Sequence, residues 1–254
     1  MARTSAKRKK PTLLAASSQT LLLLESAIPT CTACPRLHSY LETVAETKVK
    51  RFASDDYWSK PVPGFGDPHA TILIVGLAPG AHGANRTGRV FTGDRSGDFL
   101  YAGLFRTGLA SQPQSVARYD GLVLRDVYVS AAARCAPPAN RPSPEELASC
   151  RVFLRREIEL LERLRVVIAL GAIAHQAVWL ALSEVEQTAA IRTPKFCHGQ
   201  EHPSPTHGLR LIDCYHVSQQ NTFTGLLTPT MLDDVLSRAK QLAGISGSPR
   251  SGCA

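Results

Sequence analysis

The chain reads as an α/β fold on a mainly parallel sheet of about four strands, and three observations predict it. Apolar, β-branched runs recur at 71–75, 123–130, 165–170 and 207–213. Helix-like segments separate them, and glycine closes the first and third runs, at Gly76 and Gly171. Strands covered on both faces read as continuous apolar runs, and alternation of strand and helix is the signature of parallel crossover units.

In order, residues 1–17 read as a flexible basic tail carrying Arg3 and Lys7 to Lys10. Leu21 to Leu24 sit in a short helix over 18–27, capped by Ser17 or Ser18. Cys31-Thr32-Ala33-Cys34-Pro35 follows, then a helix over 37–52 and a Pro/Gly loop over 55–67. The first strand ends in Gly76-Leu77-Ala78-Pro79-Gly80, where glycine permits backbone geometry other residues resist. A polar loop to Gly97 leads into a helix over 98–110. The second strand runs into Cys135-Ala136-Pro137-Pro138-Ala139-Asn140, which proline keeps extended and stiff. Ser143-Pro144-Glu145-Glu146 is a helix start, with Ser143 as cap and Glu146 three residues on. That helix reaches about Leu164. The third strand turns into a helix over 173–182, the fourth into a loop over 214–221, and Pro229 opens a last helix over 230–243. One domain therefore spans 18–245, and 246–254 is a second tail.

The 254 residues suffice for a sizeable core, and 44% apolar content is ordinary for a globular chain. No apolar run of about 18 residues exists and no secretory segment follows the basic start, so a cytoplasmic protein without a membrane span is expected. The net charge of +8 favours a polyanionic partner, nucleic acid first. For the basic tail, a solvated arm is the plain alternative.

Seven cysteines, an odd number, argue against a full disulfide framework. Cys31 and Cys34 lie on one turn, and Cys135 and Cys150 form a second pair across the Pro-rich loop and the next helix. Four thiolates so arranged suit tetrahedral zinc or an iron–sulfur cluster, and spacing alone leaves the choice open. Four unrelated buried thiols are the plain alternative. Cys197, Cys214 and Cys253 fall outside the set.

In open α/β sheets ligands bind beyond the carboxyl ends of the strands. Asp94, Asn140 and the loop Tyr215-His216-Val217-Ser218-Gln219-Gln220-Asn221-Thr222 all fall there. Asp94 can orient water or cap the next helix; Asn140 can be a turn residue, His216 a packed histidine and Phe91 core. The glycines match neither a dinucleotide fingerprint nor a phosphate-binding loop.

Gly76-Leu77-Ala78-Pro79-Gly80 followed by Asn85-Arg86-Thr87-Gly88-Arg89-x-Phe91-Thr92-Gly93-Asp94 resembles the first motif of the uracil-DNA glycosylase superfamily. His216-Val217-Ser218-Gln219-Gln220-Asn221-Thr222 resembles the second, with Val217 where that motif has proline. The cysteine spacing is similar to the iron–sulfur branch, and the Ala81-His82-Gly83 loop with its Phe-Thr-Gly-Asp ending resembles family 5 rather than family 4. The resemblance implies a three-layer αβα fold and a monomeric base-excision enzyme acting on double-stranded, and also single-stranded, DNA. It implies a [4Fe–4S] cluster on Cys31, Cys34, Cys135 and Cys150. Asp94, Asn140 and His216 would be catalytic, Phe91 would stack on the flipped base, and Gly76, Leu77 and Ala78 would line its pocket. Asn221 and Thr222 would complete the base- and DNA-binding set. Family 4 carries asparagine where this chain has Ala131, and family 5 also removes hypoxanthine and other deaminated bases. A damaged-DNA-binding protein without catalysis is the rival reading. A zinc hydrolase is weaker, because only His198 and His202 have ligand spacing and the prolines around them oppose a helix.

Overall fold

In the computed structural model, which describes Thr12, Ala15 and residues 19–186, 192–204 and 208–245, every residue of the first apolar run is buried. This strand, β2 (Ile72–Gly76), pairs in parallel with β3 (Val127–Ala131) and β4 (Val166–Leu170), and β4 pairs in parallel with β6 (Arg210–Cys214). The four parallel strands are those expected. Two short antiparallel edges bring the sheet to six: β1 (Phe65–Gly66) on β3 and β5 (Glu201–Pro203) on β6, in the order β1-β3-β2-β4-β6-β5. Two or three residues carry no readable alternation, and Pro203 is tolerated because β5 is an edge.

Alternate strand residues face opposite layers, as the pleat requires. Ile72, Ile74, Val129, Ile168 and Ile212 pack with α4 (Arg95–Arg106) and α8 (Pro229–Leu242). Leu73, Val75, Val167, Ala169 and Leu211 pack with α5 (Pro144–Leu160) and α6 (Ala172–Val185). The result is the three-layer αβα arrangement. Register brings Gly76 beside Ala131 and Leu170 beside Cys214, so the four carboxyl ends are level along one edge.

Most element boundaries move by a few residues, for local reasons. The second strand starts at Val127, not Val123, because Asp126 adopts φ +57° and breaks the extended run. The helix expected over 98–110 begins at Arg95, capped by Asp94. The Ser143 capping box forms: its Oγ accepts from Glu146 N–H, and Glu146 Oε2 accepts from Ser143 N–H at 2.7 Å. The helix expected over 37–52 is α2 (Pro35–Thr47), and the first, α1 (Leu21–Ala27), is capped by Thr20. Two short helices replace expected loop, α3 (Ala84–Thr87) and α7 (Gln219–Phe223). Of the two tails only Thr12 and Ala15 are described, and Ala15 is buried with Leu24, Ile28 and Phe153 rather than free; Arg3, Lys7 to Lys10 and Cys253 lie outside the described residues, as do Ser17, Ser18 and His207.

A buried ion pair ties two elements together behind the sheet edge. Arg134 is 1% exposed; its guanidinium meets Glu157 Oε2 and Ser130 Oγ, both at 2.7 Å. The pair joins the loop after β3 to α5. Removing one partner of such a pair leaves an uncompensated buried charge. Glu157→Gln is therefore expected to destabilise the fold by about 3–5 kcal/mol in denaturant unfolding; a loss below about 1 kcal/mol would contradict the role given to the pair.

Candidate active site

The level strand ends floor a cavity of 550 Å³ lined by Leu77 to Gly80, Phe91, Asp94, Asn140 and His216, with Ser218 to Gln220 on its rim. Three separate strand-end loops thus bring together the acid, the amide, the imidazole and the aromatic ring named from sequence.

Backbone sterics place the ring. Phe91 has φ +51°, a left-handed conformation that a bulky residue adopts only under constraint. A Cβ on Gly76 would collide with the Phe91 ring, and one on Gly97 with the Phe91 carbonyl. Gly76 is thus absent from the cavity wall; it makes room for the ring rather than meeting a ligand itself.

Asp94 is both the cap and the cavity acid. Its Oδ1 accepts from Gly97 N–H at 3.0 Å and starts α4. Its Oδ2 lies against Gly80 and Gly83, and a Cβ on Gly83 would overlap the carboxylate. Burial pushes the carboxyl above its ordinary 3.8, while the Gly97 and Ser96 N–H groups pull it down.

Burial pushes the His216 imidazole below 6.5, which favours its neutral form. Its backbone carbonyl is held by Asn221 Nδ2 at 2.8 Å. Asn221 and Thr222 do not line the cavity: Asn221 braces the His216 loop and Thr222 Oγ1 donates to the carbonyls of Ser218 and Gln219. Asn140 follows Ala139 in a left-handed pair, φ +55° and +52°, which turns the Pro-rich loop towards the cavity. Asparagine tolerates that conformation; alanine carries strain there.

Two arginines brace the acid-bearing loop, a role that nothing local in the sequence announces. Arg86 reaches Asp55 at 2.8 Å and the carbonyls of His82 and Gly93. Arg89, 3% exposed, meets Asp120 and Ser115 at 2.6 Å and Thr92 at 3.0 Å. Their partners lie up to 31 residues away.

The cysteine set converges apart from the cavity. Cys31, Cys135 and Cys150 are buried, Cys34 is half-buried, and all four are free. Their charges act on one another, and burial pushes every thiol up, Cys34 to about 11 and Cys135 well above its ordinary value. Backbone N–H groups of Ala33 and Arg134 serve the sulfurs of Cys31 and Cys150. Arg36 grips Glu146 with two bonds of 2.8 and 2.6 Å, tying the Cys34 helix to the Cys150 helix.

The other ligand-type cluster is His175, His202 and Asp213. Asp213 accepts from His175 Nδ1 at 2.6 Å, His202 Nε2 at 2.9 Å and Cys197 N–H at 2.9 Å. The first distance is a hydrogen bond, shorter than the about 3.3 Å that two ligands keep around tetrahedral zinc with bonds of about 2.0 Å. His198 instead stacks on Tyr215, so the ligand pair His198 and His202 is not assembled. In a nitrogen- and carbon-detected NMR titration, His216 is expected to titrate below 6.5 and Asp94 above 3.8; the opposite displacement of either would contradict their burial.

Comparison with known proteins agrees with this geometry. Residues 63–240 match the model of the uracil DNA glycosylase superfamily. A type-5 uracil-DNA glycosylase of Thermus thermophilus is 51% identical over 215 residues, covering 85% of this chain and 94% of that protein. One of Mycobacterium tuberculosis is 48% identical over 233 residues, covering 91% and 85%. A type-4 enzyme of Thermotoga maritima is 34% identical over 153 residues, covering 60% and 62%.

Proposed function

The chain belongs to the type-5 branch of the uracil DNA glycosylase superfamily, and we propose that it excises uracil, and with it hypoxanthine, from DNA by hydrolysing the N-glycosidic bond. The observation that carries this is the meeting of Phe91, Asp94, Asn140 and His216 in one cavity. The substrate is double-stranded or single-stranded DNA. One chain supplies the whole cavity, which fits a monomer. No described helix is long and apolar enough to cross a membrane, which fits work on DNA in the cytoplasm.

A base inside a duplex cannot be reached, so it must be flipped out at a cost of a few kcal/mol. Stacking on the Phe91 ring offsets part of that cost. Backbone from Leu77 to Gly80 then lies close to the base edge. As the glycosidic bond stretches, positive charge grows on the sugar and negative charge on the base. The Asp94 carboxylate stabilises the sugar cation or orients the attacking water. A neutral His216 has one N–H to donate to the departing base oxygen, and the Asn140 amide can hold the base beside it. Water attacks the sugar directly, so no protein nucleophile is required. Ala131 has no amide to test the base, which supports the wider range.

Cys31, Cys34, Cys135 and Cys150 would hold a [4Fe–4S] cluster. All-thiolate ligands with backbone N–H groups on two sulfurs suit it. The cluster would staple α2 and the Pro-rich loop to α5 and take no part in bond cleavage.

Asparagine caps a helix as well as aspartate does. Asp94→Asn is therefore expected to leave stability nearly intact and to slow uracil excision by about 10²–10⁴-fold; an unchanged single-turnover rate on duplex DNA would remove Asp94 from the mechanism. Excision of hypoxanthine in the same assay decides the breadth of substrate. The purified protein is expected to be brown, with about four iron and four sulfide per chain, and a colourless zinc protein would overturn the cluster.

A further inference from the structure

Cations and aromatic rings interleave along one flank of the loop that carries Phe91 and Asp94. The Arg118 guanidinium lies 4.4 Å from the Trp58 ring and 5.6 Å from the Tyr119 ring. The Lys60 ammonium lies 5.4 Å from Trp58 on the same shelf. Lys48 and Arg51 extend it over Tyr57 and Phe52.

This shelf is fastened to the active-site loop from two sides. Trp58 N–H donates to the Arg86 carbonyl at 2.9 Å, and Gly88 leaves room for the indole. From the other side, Gly93 N–H donates to the Ser115 carbonyl at 3.1 Å and Arg89 donates to the Arg118 carbonyl at 3.2 Å. The shelf is therefore continuous with the rim of the cavity rather than a remote patch.

The fold makes little use of its outer ring. Tyr119 is 88% exposed, the most exposed large apolar side chain among the described residues. Nearby acids are mostly engaged: Asp120 by Arg89, Asp55 by Arg86, and Glu25 by the Tyr128 hydroxyl within the field of Arg118. Glu46 and Asp56 stand exposed without an ion pair, against the cations Lys48, Lys50, Arg51 and Lys60. The surface is thus positive, and Tyr119 is the ring it leaves open, while half-buried Trp58 lies against Gly88 beneath Arg118 and Lys60.

We infer that Tyr119, flanked by Arg118 and Lys60 where they rest on Trp58, forms a stacking platform for unpaired nucleotides of the DNA strand that carries the target base. This rests on the reading of the chain as a DNA glycosylase. A duplex hides the faces of its bases, so a projecting ring flanked by cations gains full contact only from an unstacked base. Every base has a π-face, so such a platform is indifferent to sequence, and the cations track the phosphates. The platform would give the enzyme a grip on single-stranded DNA that the base pocket alone does not provide.

The test compares binding of an oligothymidylate single strand and of a uracil-free duplex of equal length, by fluorescence anisotropy at fixed salt. Tyr119→Ala is expected to weaken single-strand binding by roughly five- to a hundredfold and duplex binding by less than about twofold. Tyr119→Phe, which keeps the ring, is expected to retain single-strand affinity, and Lys60→Ala to flatten its salt dependence. Unchanged single-strand affinity in Tyr119→Ala would overturn the platform, as would equal losses on both DNAs; the first result would assign the ring to another kind of partner. Circular dichroism checks that the exposed substitution leaves the fold intact. Excision of uracil by the wild-type protein is read separately, so failure of the platform and failure of the glycosylase reading are distinguishable.

Discussion

The site depends on a steric constraint at Phe91. Its ring occupies the space where Gly76 would carry a Cβ, and its carbonyl occupies the corresponding space at Gly97. Strand β2 and helix α4 can both approach the residue only because neither has a side chain at the contact. The left-handed backbone of Phe91 follows from that double approach. Once the ring is fixed, the chain has three residues in which to reach the helix cap, and Asp94 arrives over Gly80 and Gly83. The platform, the acid and the helix start are one piece of geometry.

That coupling explains what was legible in the sequence. The buried strands announced themselves as β-branched runs, and helix α5 through its capping box. Asp94 looked like a cap on local grounds and like an acid from the motif around it; the structure gives one oxygen to the cap and places the other among glycines. Less legible were features without local signal. The edge strands β1 and β5 are too short to show a period, and α3 and α7 are single turns of polar residues. Asn221 and Thr222 sit in a motif beside the base-binding loop, yet their side chains satisfy backbone groups of that loop. Arg86 and Arg89 reach partners far along the chain, so only the folded chain reveals them as braces.

Electrostatics separates the two centres. Around the cavity, burial raises Asp94 and lowers His216, which brings their ordinary values closer and leaves a neutral imidazole facing the acid-bearing loop. Around the cysteines, burial raises all the thiols together, so low-pKa reactive chemistry is disfavoured there. The buried Arg134 stands between these regions, with its backbone serving Cys150 and its guanidinium held by Glu157.

The Arg36–Glu146 clamp spans 110 residues of chain. During synthesis at about 5–20 residues per second, Arg36 is made about 5–20 s before its partner. Over that interval α1 lacks Phe153, the buried residue it packs against in α5, and Cys31 and Cys34 lack Cys150. The N-terminal segment is thus made first in the domain yet cannot dock until α5 has been made. Its newborn thiols are open to oxidants until α5 emerges.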